Sequence, residues 1–295
     1  MAINAQMIKE LRQVTEAGVL DCKKALEATD GDFDKAVEYL KEKGLDAAAK
    51  KATRETNDGL VQVLVDETAR QGTIVEVNCE TDFVARTDEF QALVAAIARQ
   101  VADETDVSEV AVLLNRPFIE DPSVTVGEYL NQLIATLGEN MVLRRFARVE
   151  RDGNGLIEGY VHLGSRIGVL VYMSAASGDV ASSAAFNELV HDLALQVAAA
   201  APQYISPDDV PESLVEAEKA KYLAQATEDN KPDHIQERIV AGRLDKWYQE
   251  YCLLSQPFIK DESLSISDLI THKSKELETQ LAIQQFIRYE LGNGE

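Results

Sequence analysis

The chain has 295 residues, of which 45% are hydrophobic, so it is long enough to form two or three domains with buried cores. Its 51 acidic residues outnumber its 29 basic residues, giving a net charge of −22. No long basic run is present, which argues against direct binding to nucleic acid, because that requires clustered lysine and arginine to neutralise phosphates.

Several features predict a cytoplasmic protein. The three cysteines, Cys22, Cys79 and Cys252, lie far apart and form no CxxC pair, a usage that fits a reducing compartment better than a disulfide framework. The N-terminus lacks a basic segment followed by an apolar stretch, so we expect no signal peptide. No run approaches the roughly 20 apolar residues that span a bilayer, so we expect no membrane contact.

Residues 1–54 predict a three-helix domain followed by a linker. Asp32 is suited to the N-cap of the third helix, and Gly44 to the position just after its end. The Ala/Lys-rich stretch 46–56 is interpreted as a linker that is helical at its start. The apolar residues that recur at helical spacing are Met7, Ile8, Leu11 and Val14, then Cys22, Ala25 and Leu26, then Phe33, Ala36, Val37 and Leu40. Together they are similar to the ubiquitin-associated (UBA) three-helix fold.

An internal repeat organises the rest of the chain. Each copy contains a strand pair, a helix, a Pro-Phe-Ile segment, a second helix and a terminal strand. The markers are 59–65, 73–77, 116–121 and 143–149 in the first copy, and 159–162, 167–173, 256–261 and 283–289 in the second. We therefore predict an α+β fold with a duplicated core, made of subdomain N at 55–154 and subdomain C at 155–206 and 250–295.

The second copy is about 40 residues longer than the first, and the additional residues fall at 207–249. Two weakly amphipathic helical stretches there are separated by a turn at 227–232. We predict an antiparallel helical hairpin, or coiled coil, inserted into the second copy. The alternative is a helical pair that packs flat on the core.

No catalytic constellation is evident. Cys79 with His162 or His191 is the one arrangement that resembles a nucleophile and its base, and a buried structural thiol is the competing interpretation of Cys79. The four histidines lack the spacing of a zinc site, and no glycine-rich phosphate loop is present. We expect no catalytic residue, no metal site and no cofactor.

The stretch 77–86, Val-Asn-Cys-Glu-Thr-Asp-Phe-Val-Ala-Arg, is the most informative in the chain. A strand at 73–77 is expected to end there, and a polar turn then presents Asp82 beside Phe83, before Thr87 leads into a helix. Such a turn on a rigid scaffold is suited to contact another molecule. Two alternatives stay open: Phe83 is a core residue that closes the sheet, and Asp82 forms a hydrogen bond within the turn.

Four blocks of the chain resemble the elongation factor Ts family, in the order in which they occur there. They are 15–26 with 31–36, then 77–87, then 159–162 with 166–171, and finally 240–258. The resemblance implies a guanine-nucleotide exchange factor without covalent chemistry. It would bind elongation factor Tu·GDP and promote GDP release by disturbing the Mg²⁺ and phosphate site. Val19 and Leu20 are smaller than the pair common in the family, while Ser165 and Thr87 are further departures.

The resemblance also implies which residues contact the partner, and family members use the aromatic of the motif as a wedge between two helices of the GTPase. The implied partner-binding residues are Thr81, Asp82, Phe83, Val84, Val19, Leu20, Gly138 and His162. Packing between helices is the alternative for Val19 and Leu20, and a satisfied sheet histidine is the alternative for His162. Some relatives form assemblies of two factors with two GTPases, so a homodimer or two-plus-two complex stays open.

A rival hypothesis for the whole chain is a UBA-like adaptor or interaction protein without exchange activity. It accounts for the first 45 residues but gives the duplicated core and its Asp-Phe turn no role. A cysteine-dependent enzyme is a third hypothesis, and it depends on Cys79 alone.

Overall fold

The computed structural model describes residues 3–15, 17–228 and 232–292. Helices and antiparallel sheets alternate along these residues in an α+β arrangement, as the sequence predicts. Among the described helices, none is both long and apolar enough to cross a membrane.

The N-terminal part is a bundle of three helices. They are α1 (Ala5–Thr15), α2 (Val19–Ala28) and α3 (Phe33–Lys51). The buried residues at its centre are Leu11, Cys22, Ala25, Leu26 and Ala36. Asp32 is the N-cap of α3, because its Oδ1 accepts a hydrogen bond from the Lys35 amide at 3.2 Å. The prediction that Val14 joins this core is wrong, since Val14 lies in the last turn of α1 and is 65% exposed.

The first half of the core follows. Its elements are β1 (Asp58–Val65), β2 (Gln71–Cys79), α4 (Asp82–Ala85), α5 (Asp88–Asp103), α6 (Val110–Leu113), α7 (Val126–Leu137) and β3 (Met141–Glu150). The strands form one antiparallel sheet in the order β1-β2-β3. β2 continues to Cys79, past the end predicted at Val77. Asn78 is buried there and is paired with strand residues on both sides, so its polar side chain did not stop the strand.

The third N-terminal helix is longer than the sequence predicts. Gly44 does not end α3, which runs on through most of the stretch interpreted as a linker. The reason is packing against α7: a Cβ at Gly44 would lie 3.8 Å from the Ala135 Cβ, Ala48 is buried, and the Lys51 ammonium donates to the Ile134 carbonyl at 3.2 Å. Tertiary contact thus overrides the local tendency of glycine to end a helix.

The second half repeats the plan. Its elements are β4 (Gly155–Val161), β5 (Ile167–Ala175), α8 (Gly178–Ala181), α9 (Ala184–Ala200), α10 (Glu212–Glu228), α11 (Asp233–Tyr251), β6 (Pro257–Phe258), β7 (Asp261–Ser265), α12 (Ile266–Glu276) and β8 (Leu281–Glu290). The order β4-β5-β8 in the second sheet matches that of the first, and both sheets carry a register shift at corresponding places, Glu76/Val77 and Tyr172/Met173.

A buried glutamine side chain holds the Pro-Phe-Ile segment in each half. In the first, the Gln100 amide donates to the Pro117 carbonyl at 2.8 Å and accepts from the Ile119 amide at 3.1 Å. In the second, Gln196 makes the corresponding bonds to Pro257 and Ile259, at 3.2 and 2.9 Å. Buried polar groups must find such partners, and here the Pro-Phe-Ile segment supplies them in both copies.

The two sheets pack against each other through a shared apolar cluster. Its buried members are Val61, Ile74, Val149, Ile157, Leu170, Tyr172 and Leu291. Glycines allow the close approach: a Cβ at Gly168 would lie 2.5 Å from Val61 Cγ1, and one at Gly159 would lie 2.7 Å from Val63 Cγ1. Any larger residue at these positions would push the sheets apart.

The insertion is a pair of helices that contact each other. Arg243 donates to Gln225, and Thr227 donates to Gln236 at 3.2 Å, so α11 runs back along α10. Hydrogen bonds to the rest of the chain occur at the base, where the Tyr251 carbonyl accepts from the amides of Gln203 and Tyr204. This arrangement fits the predicted antiparallel hairpin better than a pair lying flat on the core. Residues 229–231 of the predicted turn lie outside the described residues.

Candidate partner-binding surface

The Asp-Phe motif forms a single helical turn, α4, between β2 and α5. Thr81 is its N-cap, and the Thr81 hydroxyl accepts from the Val84 amide at 3.4 Å. Val84 and Ala85 face inward and are buried, whereas Phe83 is 80% exposed. The alternative in which Phe83 closes the sheet as a core residue is therefore wrong. Exposing a phenylalanine forgoes about 1.5–3 kcal/mol of burial free energy, which favours a role outside the fold.

The turn is held from the side by a carboxylate that the sequence did not predict. Both oxygens of Glu139 accept hydrogen bonds from Thr81, one from the backbone amide at 2.9 Å and the other from the hydroxyl at 2.6 Å. Gly138 precedes Glu139 and ends α7 with a left-handed φ of 84°. Glycine adopts this conformation without the cost that a side chain imposes. Gly138 thus acts in the structure by directing Glu139 towards the turn.

A second carboxylate joins the same two segments. Glu80 Oε1 accepts from the Asn140 amide at 2.6 Å and from the Arg54 guanidinium at 3.3 Å. The Asn140 side chain in turn donates to the Arg54 carbonyl at 2.9 Å. The Asn140 amide and then Arg54 stabilise the ionised carboxylate, so the pKa of Glu80 is lowered from its ordinary value. We call Glu80, Thr81, Glu139 and Asn140 the turn clamp.

Asp82 lies on the exposed side of α4, beside Phe83. Its carboxylate forms an ion pair with Arg86 at 2.9 Å, one turn further along the chain. Both side chains are exposed, so the pair adds little to stability, on the order of 0–1 kcal/mol. Asp82 thus presents a negative charge next to the exposed aromatic ring.

Val19 and Leu20 open α2, and their side chains are 54% and 71% exposed. The alternative in which they pack between helices is wrong. Gly18, at the N-cap, has extended backbone and makes no side-chain cap hydrogen bond. Val14, which the sequence placed in the core, and Leu45 of α3 are also exposed, so the described N-terminal helices have four large exposed apolar side chains.

His162 directly follows β4 in the second half, far along the chain from α4. It is exposed, and its Nδ1 lies 2.9 Å from the Tyr160 hydroxyl. His162 is thus hydrogen-bonded to a strand residue and also accessible, although it is not itself part of the strand. The structure brings Thr81, Asp82, Phe83, Val84 and Gly138 into one cluster, while His162 and the Val19–Leu20 pair belong to other elements. Contact of any of these residues with a partner stays a prediction.

Cys79 is unsuited to nucleophilic catalysis. It is fully buried, its thiol donates to the Thr81 carbonyl at 3.1 Å, and burial raises the pKa of Cys79 to about 12. A thiolate is the reactive form and is suppressed there at neutral pH. Cys22 and Cys252 are also buried, with pKa values raised by burial. Among residues that the structure describes, no cluster of three or more metal-ligating side chains occurs.

Comparison with known proteins gives consistent matches over the whole chain. A family model described as Elongation factor TS matches residues 80–293. Among curated relatives named Elongation factor Ts, that of Trichlorobacter lovleyi is 43% identical over 294 residues, covering 100% of this chain and 94% of the relative. Those of Clostridium botulinum strain Alaska E43 and Clostridium perfringens strain SM101 are 45% and 46% identical over 292 residues, covering 99% of this chain and 94% of each relative.

These matches first define a class, the elongation factors, since every one of the relatives described above is named Elongation factor Ts. Within that class the particular family is clear. The chain belongs to the elongation factor Ts family, the nucleotide-exchange factors of translation elongation.

Proposed function

We propose that this protein binds elongation factor Tu·GDP and accelerates GDP release by inserting Phe83 next to the Mg²⁺ and phosphate site of the GTPase. The observation that carries the proposal is the 80% exposure of Phe83 on a turn whose backbone is held by the turn clamp. An exposed aromatic on a fixed support is typical of residues that dominate binding energy. The site of action is the cytoplasm.

The proposal requires a difference in affinity between two states of the GTPase. Because exchange factor and nucleotide are linked through the same protein, a factor that prefers the nucleotide-free form must weaken GDP by the same ratio. A thousandfold faster release corresponds to about 4 kcal/mol off the dissociation barrier. Burying one phenylalanine supplies about 1.5–3 kcal/mol, so further contacts must contribute.

The exposed apolar residues of the N-terminal helices are suited to supply part of the remainder. Val19 and Leu20 are exposed in the free protein and gain burial free energy when a partner covers them. Asp82 adds a charge that favours one orientation of the complex. His162 is accessible on the second half for a separate contact.

The direct test is release of a fluorescent GDP analogue from elongation factor Tu in a stopped-flow instrument. We expect the release rate to rise with the concentration of this protein and then to saturate. An unchanged rate at saturating protein would contradict the exchange function. If binding were then still measurable, the adaptor hypothesis would replace it.

A further inference from the structure

The turn clamp is not a requirement of the scaffold. The second half has a matching turn, α8, but Ala176 stands in place of Glu80 and Thr279 in place of Glu139. Ser177, which corresponds to Thr81, forms no side-chain cap bond. The strands and the following helix nevertheless form as in the first half. The two carboxylates therefore serve something that only the first turn needs.

That need follows from the length and exposure of α4. A helix of four residues cannot hold its own shape, because helix nucleation is unfavourable until several residues are fixed. Phe83 contributes little packing, since most of its surface is in solvent. The orientation of the aromatic ring must come from Val84 and Ala85 beneath it and from the bonds that fix Thr81.

Glu139 is placed to supply this orientation. Its two oxygens hold the amide and the hydroxyl of Thr81, and the same hydroxyl accepts from the Val84 amide. One side chain thus links the end of α7 to the first residues of α4. Glu139 is only half-buried and reaches Phe83 through Thr81, so it is a positioning residue and makes no contact with the aromatic ring in these bonds.

We propose that Glu139 pre-organises the turn so that Phe83 is presented in the conformation that binds the GTPase. This inference rests on the proposed exchange function. Fixing the turn before association removes an ordering cost from binding, since each mobile side chain or loop that must be immobilised weakens a complex. Loss of Glu139 should therefore raise the concentration needed for half-maximal exchange more than it lowers the saturating rate.

The test is a double-mutant cycle in the GDP-release assay. We expect Glu139→Ala to raise the half-saturating concentration on the order of tenfold. In a Phe83→Ala background the same substitution should change it less than about twofold, because the group that Glu139 positions is already absent. Thr279→Ala, at the matching place in the second half, is the control and should leave exchange unchanged.

Hydrogen exchange of the free protein supplies a second readout. Amides of residues 81–86 should exchange faster in Glu139→Ala, and amides of α9 should not change. Glu139→Gln, which keeps the size of the side chain but can accept through one oxygen only, should show a smaller effect of the same sign. It also serves if Glu139→Ala does not fold.

The outcomes separate this inference from the proposed function. If the unmodified protein fails to accelerate GDP release, the proposed exchange function is wrong. The proposal that Glu139 positions Phe83 for exchange is then wrong as well. A second outcome is that the unmodified protein is active, but Glu139→Ala accelerates GDP release normally and its amides at residues 81–86 exchange at the normal rate. Only the positioning role of Glu139 is then overturned. An equal rise in the half-saturating concentration on removing Glu139, whether the Phe83 ring is present or has been truncated, would likewise overturn it. Glu139 would then act independently of that ring.

Discussion

The turns α4 and α8 occupy matching places in the two halves of the core and both end in Val-Ala, but they differ in the two residues before that pair. The first presents Asp82 and Phe83, whereas the second has Gly178 and Asp179 at the same positions. In the first half the Asn140 amide donates to the Glu80 carboxylate, while in the second the Ala176 amide donates to the Gln280 carbonyl. The comparison teaches that the scaffold tolerates a plain turn, so the aromatic and its clamp are additions to it.

In contrast to the turns themselves, the helices that follow them begin in the same way in the two halves. Thr87 and Ser183 are the N-caps of the helices that follow, and their hydroxyls accept from the amides of Phe90 and Phe186 at 3.3 and 3.2 Å. Both phenylalanines are fully buried. The duplicated fold thus keeps the same helix start after each turn, while the exposed residues of the turn differ and only one turn carries the functional aromatic.

The largest expected effect tests the shared support. Phe90→Ala and Phe186→Ala each remove a fully buried ring, and we expect each to lower the free energy of unfolding by about 3–5 kcal/mol. Denaturant titration followed by circular dichroism measures both. A loss below about 1 kcal/mol for either variant would show that the two halves are not packed alike.

The next effect tests the difference between the turns. Phe83→Ala should slow GDP release about tenfold to a hundredfold, because the burial of one phenylalanine in the complex is lost. Its free energy of unfolding should change by less than about 0.5 kcal/mol, as is usual for an exposed side chain. Asp179→Ala, the matched variant in α8, should leave both quantities unchanged. Equal slowing by the two variants would refute the asymmetry.

The smallest effect concerns the charge of Glu80, which has no counterpart in the second half. Its pKa in the folded protein is lowered from 4.5 by the Asn140 amide and then by Arg54. The ionised form therefore stabilises the fold at pH values above 4.5, and this contribution is lost as the pH falls through the lowered pKa.

Glu80→Gln keeps an acceptor for the Asn140 amide but removes the charge. We expect the stability difference from the unmodified protein to be below about 1 kcal/mol at neutral pH and to shrink below pH 4.5. Thermal unfolding of both proteins at several pH values measures it. A difference that stays constant across this range would show that the charge of Glu80 does not stabilise the clamp.

The sequence by itself determined the elements, the repeat and the family. Helical spacing of residues such as Phe90, Leu93 and Val94 is a local property, so it predicted α5 without knowledge of any distant contact. The Pro-Phe-Ile segments revealed the duplication because in both copies this segment forms hydrogen bonds with a buried glutamine. The Asp-Phe motif was recognised because its residues are consecutive in the chain, but its exposure was not determined by that pattern.

Only the tertiary structure decided what lies around those residues. Thr81 and Glu139 are 58 positions apart, and no local pattern pairs a glutamate after a glycine with that particular threonine. Packing on α7 carried α3 past Gly44, and the exposure of Phe83 and Val14 depended on which neighbours cover them. Local propensity sets which segments form helices and strands, whereas burial and long-range hydrogen bonds depend on how distant segments meet in the fold.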